Sequence, residues 1–158
     1  MNPGRTIPQK FIVPERVVRE TQRRLQLSAL KRTEIVVLWS GTIIDGTIRV
    51  SRVWLPHQFV DEGFFAIPGE ELFALNKEIY ELGERLVAQV HTHPTLAFHS
   101  ETDSEFAVTS MEGGLSIVVP EFGMASIKST RECAYFLFES GGWRGLSGSE
   151  VKALMKFE

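Results

Sequence analysis

From residue 15 to residue 32 the chain runs without glycine or proline, and Val18, Gln22, Leu25 and Ala29 fall at spacings of four, three and four. That period places them on one face of a helix, and Pro14 stands where a helix can begin. Two strands are expected next, EIVVLWSGTII over 34–44 and TIRVSRVWLP over 47–56. The Asp45-Gly46 pair between them suits the left-handed residues of a two-residue hairpin. The stretch 57–69 is irregular and aromatic, after which Leu72, Leu75, Ile79 and Leu82 predict a helix over 70–85. LVAQVHTHP over 86–94 reads as a buried strand stopped by proline, and residues 100–111 can start a third helix. Strands are expected at 115–120, 124–128 and 134–139, with a short helix from about residue 149. This order predicts an α/β fold: a single domain over 1–158 with a mixed, mostly antiparallel and largely meandering sheet flanked by helices. Residues 1–13 read as an extended N-terminal arm.

Composition adds little beyond class. The chain has 158 residues, 43% hydrophobic and 23% charged, enough to close one core without staples. A single cysteine, Cys133, rules out an intrachain disulfide and a multi-cysteine metal site, and its apolar neighbours suggest a buried strand thiol. No apolar run approaches the roughly 18 residues of a membrane span, and the N-terminus lacks the apolar stretch of a secretory signal. The expectation is therefore a cytoplasmic protein with no membrane partner. Charge is uneven: residues 1–33 hold eight Lys/Arg against Glu15 and Glu20, while the rest of the chain is acidic. A basic front can touch nucleic acid. Glu15–Arg19 and Glu20–Arg24 are instead i, i+4 pairs, which favours a solvated helix face over a nucleic-acid surface.

The informative segment runs from His91 to Asp103. Side chains alternate along a strand, so His91 and His93 point to one face, where two imidazoles can share a metal ion. Pro94 ends the strand, and the chain can return to deliver Asp103. Two nitrogens and one carboxylate leave a fourth tetrahedral position for water, the mark of a catalytic rather than a structural zinc site. Zinc is the expected cofactor, although iron or manganese would accept the same donors. A separate carboxylate is then needed to move the water's proton. By itself a His-x-His pair arises by chance on strands, and Ser100-x-x-Asp103 also reads as a helix capping box.

The spacing resembles that of a known family. His91-Thr92-His93-Pro94, followed by Ser100 seven and Asp103 ten residues after the second histidine, is similar to the JAMM motif of MPN-type metalloproteases. These place a glutamate at the opening of an upstream apolar strand, with a glycine seven residues on; Glu34 and Gly41 match. Val36 and Val37 depart from the pattern, which often has glycines there. The resemblance covers about 34 to 120 and implies an MPN/JAMM-like fold, related in layout to cytidine deaminases. Carried over, it implies His91, His93 and Asp103 as zinc ligands, Glu34 as general acid/base, and Ser100 as hydrogen-bond donor to the oxyanion.

Members of this family cut peptide or isopeptide bonds after the C-terminal glycine of ubiquitin or ubiquitin-like proteins. A short form such as this resembles bacterial members, deubiquitinase-like enzymes found with homologues of ubiquitin-activating and ubiquitin-conjugating enzymes, including in anti-phage systems. The implied substrate is a ubiquitin-like protein or its conjugate, entering a groove walled by 57–69, where at least two of Phe59, Phe64 and Phe65 are expected in the core. Two other readings stay open: a JAMM hydrolase processing a sulfur-carrier or precursor tail, and a non-enzymatic module using the basic helix. A homodimer is also compatible with the sequence. A zinc deaminase is not, since it needs H-x-E together with P-C-x-x-C, and the single cysteine excludes the second.

Overall fold

A computed structural model describes residues 10–61, 64–96 and 111–158, with only the backbone described at 61, 64 and 65. Helix α1 (Glu15–Lys31) has Glu15 in its first turn and Lys31 in its last, the charge order that the helix dipole favours, and it stops at the left-handed Arg32. Val17, Val18, Thr21, Leu25 and Ser28 form its buried face. Strands β2 (Val36–Ile44) and β3 (Thr47–Trp54) follow the expected pattern closely, whereas residues 10–13 of the expected extended arm form a strand, β1 (Lys10–Val13), paired within the main sheet. Asp45 and Gly46 both have positive φ, as a primed hairpin turn requires.

The expected irregular stretch contains a small two-stranded hairpin, β4 (Phe59–Asp61) and β5 (Phe64–Ala66), ahead of α2 (Gly69–Glu81). Strand β6 (Arg85–Thr92) runs antiparallel to β2 and parallel to β7 (Leu115–Val119). A single turn, α3 (Pro120–Gly123), leads to β8 (Ala134–Glu139), β9 (Gly142–Gly145), α4 (Gly148–Leu154) and β10 (Met155–Phe157).

Among the described residues the main sheet has the order β10-β1-β3-β2-β6-β7-β8-β9. It is mixed, with three parallel pairings, and those crossovers replace a simple meander. Its two faces are dressed differently. Val37, Trp39, Ala88, Val90, Ile117 and Val119 join the larger core with α1, where the Trp39 indole N–H donates to Thr21 Oγ1 at 2.8 Å. Val36, Leu38 and Leu86 pack on the other face against Leu75 and Ile79 of α2.

The strand expected at 124–128 does not form. Ala125 and Ile127 are buried with the alternation of a strand, but their backbone groups meet side chains, Gln22 on α1 and the Tyr135 hydroxyl, in place of a neighbouring strand. Gln22 donates to the carbonyls of Gly123 and Ala125 and accepts from the Ile127 N–H. Cys133 lies just before β8, buried, with its thiol donating to the Ser126 carbonyl. Burial pushes its pKa up to about 12, with Glu132 adding to the shift, so it stays a thiol at neutral pH.

Candidate active site

The histidine pair sits where β6 leaves the sheet. Thr92 faces α1, its hydroxyl 2.7 Å from Ser28 Oγ, so strand alternation sends His91 and His93 to the opposite, α2-side face. His91 is fully buried and His93 is 4% exposed. Their ring centroids are 5.2 Å apart, with the planes tilted by 54°. Two imidazoles bound to one tetrahedral zinc through bonds of about 2.1 Å would have centroids about 5 Å apart, so the spacing fits shared coordination.

Glu34 reaches the same place from the segment leading into β2. The strand register pairs Val36 with His91, and the Thr92 N–H donates to the Ile35 carbonyl at 3.1 Å. Continuing that antiparallel register puts Glu34 opposite His93 and on its face. Glu34 is only 6% exposed. A carboxylate and two imidazoles thus share a buried strip where two adjacent central strands begin and end.

Backbone contacts hold this strip in place after regular pairing ends. The His93 N–H donates to the Val119 carbonyl at 2.9 Å, and the Phe122 N–H donates to the His93 carbonyl at 2.7 Å. The second contact depends on α3, where Glu121 and Phe122 both have positive φ before Gly123. Non-glycine residues in this conformation carry a cost that surrounding structure must offset, a feature often found beside functional sites. Pro94 ends β6, and His93 Nδ1 lies 3.3 Å from the Leu96 carbonyl. On the other strand, β3 stops at Trp54 opposite Leu38, short of Val36. The Gln58 side chain takes its place, accepting from the Val36 N–H and donating to the Val36 carbonyl, both at 2.9 Å.

Ser100 and Asp103, like His99, lie outside the described residues. Among the described residues no group of three His, Cys, Asp or Glu side chains could hold a metal by itself, and the expected third ligand is not one of them. The donors that are described suit zinc: two imidazoles held side by side at the end of a buried strand, with a carboxylate opposite one of them.

Sequence reasoning did not find the parts that hold the strip. Gln58 and the left-handed Glu121-Phe122 pair carry no local motif. The Thr92 hydroxyl was within sight as the residue between the two histidines, but only the three-dimensional contact with α1 gives it a role. His57 is exposed, 6.4 Å from the Phe59 ring, and Phe59 is itself exposed, so the expectation of two core phenylalanines falls on Phe64 and Phe65. The side chains of Phe64 and Phe65 lie outside the description.

The profile of the prokaryotic homologs of the JAB domain matches residues 13–135, which covers every element from the end of β1 into β8. The chain belongs to this family. The JAB chain is 33% identical over 135 residues to a probable metalloprotease, y4jG, of Sinorhizobium fredii, an alignment covering 83% of each protein. Its fold matches that of a protein from Desulfitobacterium hafniense determined in solution, with a TM-score of 0.65, 16% identity and coverage of 94% of this chain and 92% of that one. That likeness speaks to the fold alone. The family and the curated relative together make this chain a JAB/MPN-type metalloprotease, a hydrolase of the peptidase kind. No helix among the described residues is long and apolar enough to cross a membrane.

Proposed function

We propose that this metalloprotease is a zinc-dependent isopeptidase or peptidase that cleaves after the C-terminal glycine of a ubiquitin-like protein. The observation that carries the reading is the register that sets Glu34 opposite His93, with His91 beside it on the same buried face. In this reading His91, His93 and Asp103 hold zinc. When bound, zinc supplies Lewis acidity, bringing a water's pKa down to about 7 and polarising the scissile carbonyl.

The chain's own residues do the rest. Glu34 takes the proton from the attacking water and passes it to the leaving amine. Its burial excludes bulk water, which strengthens each charge interaction made there. Ser100 donates a hydrogen bond to the oxygen that gains charge as the carbonyl becomes tetrahedral. The β4–β5 hairpin is tied to this site through Gln58, and its Phe59 is 65% exposed, a surface against which an extended tail could lie. Homologues of ubiquitin-activating and ubiquitin-conjugating enzymes are the partners that would supply such substrates.

The test is cleavage by the zinc-loaded full chain of three substrate sets: ubiquitin-like conjugates, ubiquitin-like proteins with a C-terminal extension, and unrelated peptides of matched length. Cleavage of the first set after the terminal glycine, abolished by a chelator, is the expected result. Cleavage confined to extended precursors or sulfur-carrier tails would move the substrate while keeping the site. Cleavage of unrelated peptides alone would overturn the substrate class.

A further inference from the structure

The catalytic reading assigns Glu34 a proton and the histidines a metal, but it leaves open what fixes Glu34 relative to them. Glu34 precedes the first residue of β2, and a residue at a helix-to-strand junction ordinarily has more freedom than one inside a ladder. Its neighbours are held from behind the sheet. The Ser28 hydroxyl donates to the carbonyl of Thr33, immediately before Glu34. Thr92 Oγ1 accepts from the N–H of Ile35, immediately after Glu34, at 3.0 Å. The two hydroxyls are 2.7 Å from each other, and both residues are completely buried.

Proton counting fixes how the pair works. Ser28 has one hydroxyl proton, used on the Thr33 carbonyl, so in the Ser28–Thr92 contact Thr92 is the donor. Thr92 Oγ1 then accepts from Ile35 while its own proton goes to Ser28. The result is one directional chain: Ile35 N–H to Thr92, Thr92 to Ser28, Ser28 to Thr33. It closes a loop around Glu34, anchored at one end on α1 and at the other on the residue between the two histidines.

We infer that Ser28 and Thr92 are positioning residues whose buried hydroxyl relay fixes the Glu34 backbone against the His91–His93 strand end. The inference rests on the reading of Glu34 as the proton-transfer group. Thr92 suits this task better than a purely apolar residue would. Its methyl group packs into the α1 face, 3.0 Å from where a side chain on Gly123 would begin, while its hydroxyl serves the relay. Of residues 91 to 93, the middle one is the residue whose side chain meets α1. A displacement of about 1 Å at a proton-transfer group is enough to cost large factors in rate.

Thr92→Val removes the hydroxyl and keeps the shape; Thr92→Ser keeps the hydroxyl. Two measurements on the zinc-loaded full chain decide the matter. The first is amide hydrogen exchange by NMR, which needs no substrate. In Thr92→Val the Ile35 amide should exchange about tenfold or more faster, beyond any change common to the core, and Thr92→Ser should restore its protection. The second is turnover of an extended ubiquitin-like precursor: kcat should fall about 10- to 100-fold in Thr92→Val with KM and zinc content unchanged, and recover in Thr92→Ser. Ser28→Ala should give the same split more weakly, since Thr92 still accepts from Ile35.

An unchanged Ile35 exchange rate in Thr92→Val would overturn the relay. Full kcat in Thr92→Val, where Glu34→Gln is inactive, would overturn its positioning role while leaving Glu34 as the base. Full activity of Glu34→Gln is a different outcome, the failure of the catalytic reading itself.

Discussion

Glu34→Gln is expected to keep its metal and lose turnover, with kcat falling by a factor of about 10²–10⁴ or more. The substitution preserves side-chain volume at a site only 6% exposed, so it leaves neither a cavity nor a new charge. What it removes is basicity: a carboxamide cannot accept the water's proton at neutral pH. The expected zinc ligands are His91, His93 and Asp103, none of which changes, and so metal content should match the parent chain. Measuring zinc and turnover on one preparation separates the two roles. Loss of zinc together with activity would make Glu34 a ligand, and undiminished turnover would place the base on another residue.

The second large effect is on folding. In β2, Gly41 sits at a register shift against β3, with Arg49 and Val50 crossing directly over it. A Cβ there would lie 2.1 Å from the Arg49 carbonyl oxygen and 3.0 Å from the Val50 Cα. These are backbone atoms of the adjacent central strand, and no rotamer change can move them. Gly41→Ala must therefore push β2 and β3 apart, at a cost of about 3 kcal/mol or more. Gly145→Ala is the natural control, because β9 is at the sheet edge and the nearest atom to a new Cβ there is 3.6 Å away. Chemical denaturation should show a large loss for Gly41→Ala and little change for Gly145→Ala. Equal stability of Gly41→Ala and the parent would mean that the strands are not this close.

Most of the fold was legible in local pattern. The uninterrupted period of α1, the Asp45-Gly46 hairpin, the buried run of β6 and the apolar run of β8 each state their structure within a few residues. The failures share a cause in long-range pairing. Residues 124–128 have strand alternation, but Gln22, about a hundred residues earlier, takes their hydrogen bonds. β10 is three residues long and exists because β1 offers it a parallel partner. β9 follows the Ser140-Gly141 pair, which has positive φ at both positions but is a weaker local signal than Asp45-Gly46.

The described part of the candidate site had a different kind of signal. A His-x-His pair on a strand has only one face to share, whereas Glu34 was marked by the family resemblance, and Ser100 and Asp103 lie outside the described residues. What could not be read was the means of holding it. The amide of Gln58 standing in for the end of β3, and the hydroxyls of Ser28 and Thr92 behind Glu34, are contacts between elements far apart in sequence.

The most direct measurement is the metal content of the full chain by elemental mass spectrometry, on protein purified without chelator or affinity metal. It requires no substrate. The account predicts about one zinc per chain, as a single His2Asp site would bind. That zinc should be retained in Glu34→Gln and lost in His91→Ala and Asp103→Ala variants that stay folded by circular dichroism. No metal in the folded parent chain, even after zinc is added back, would contradict it.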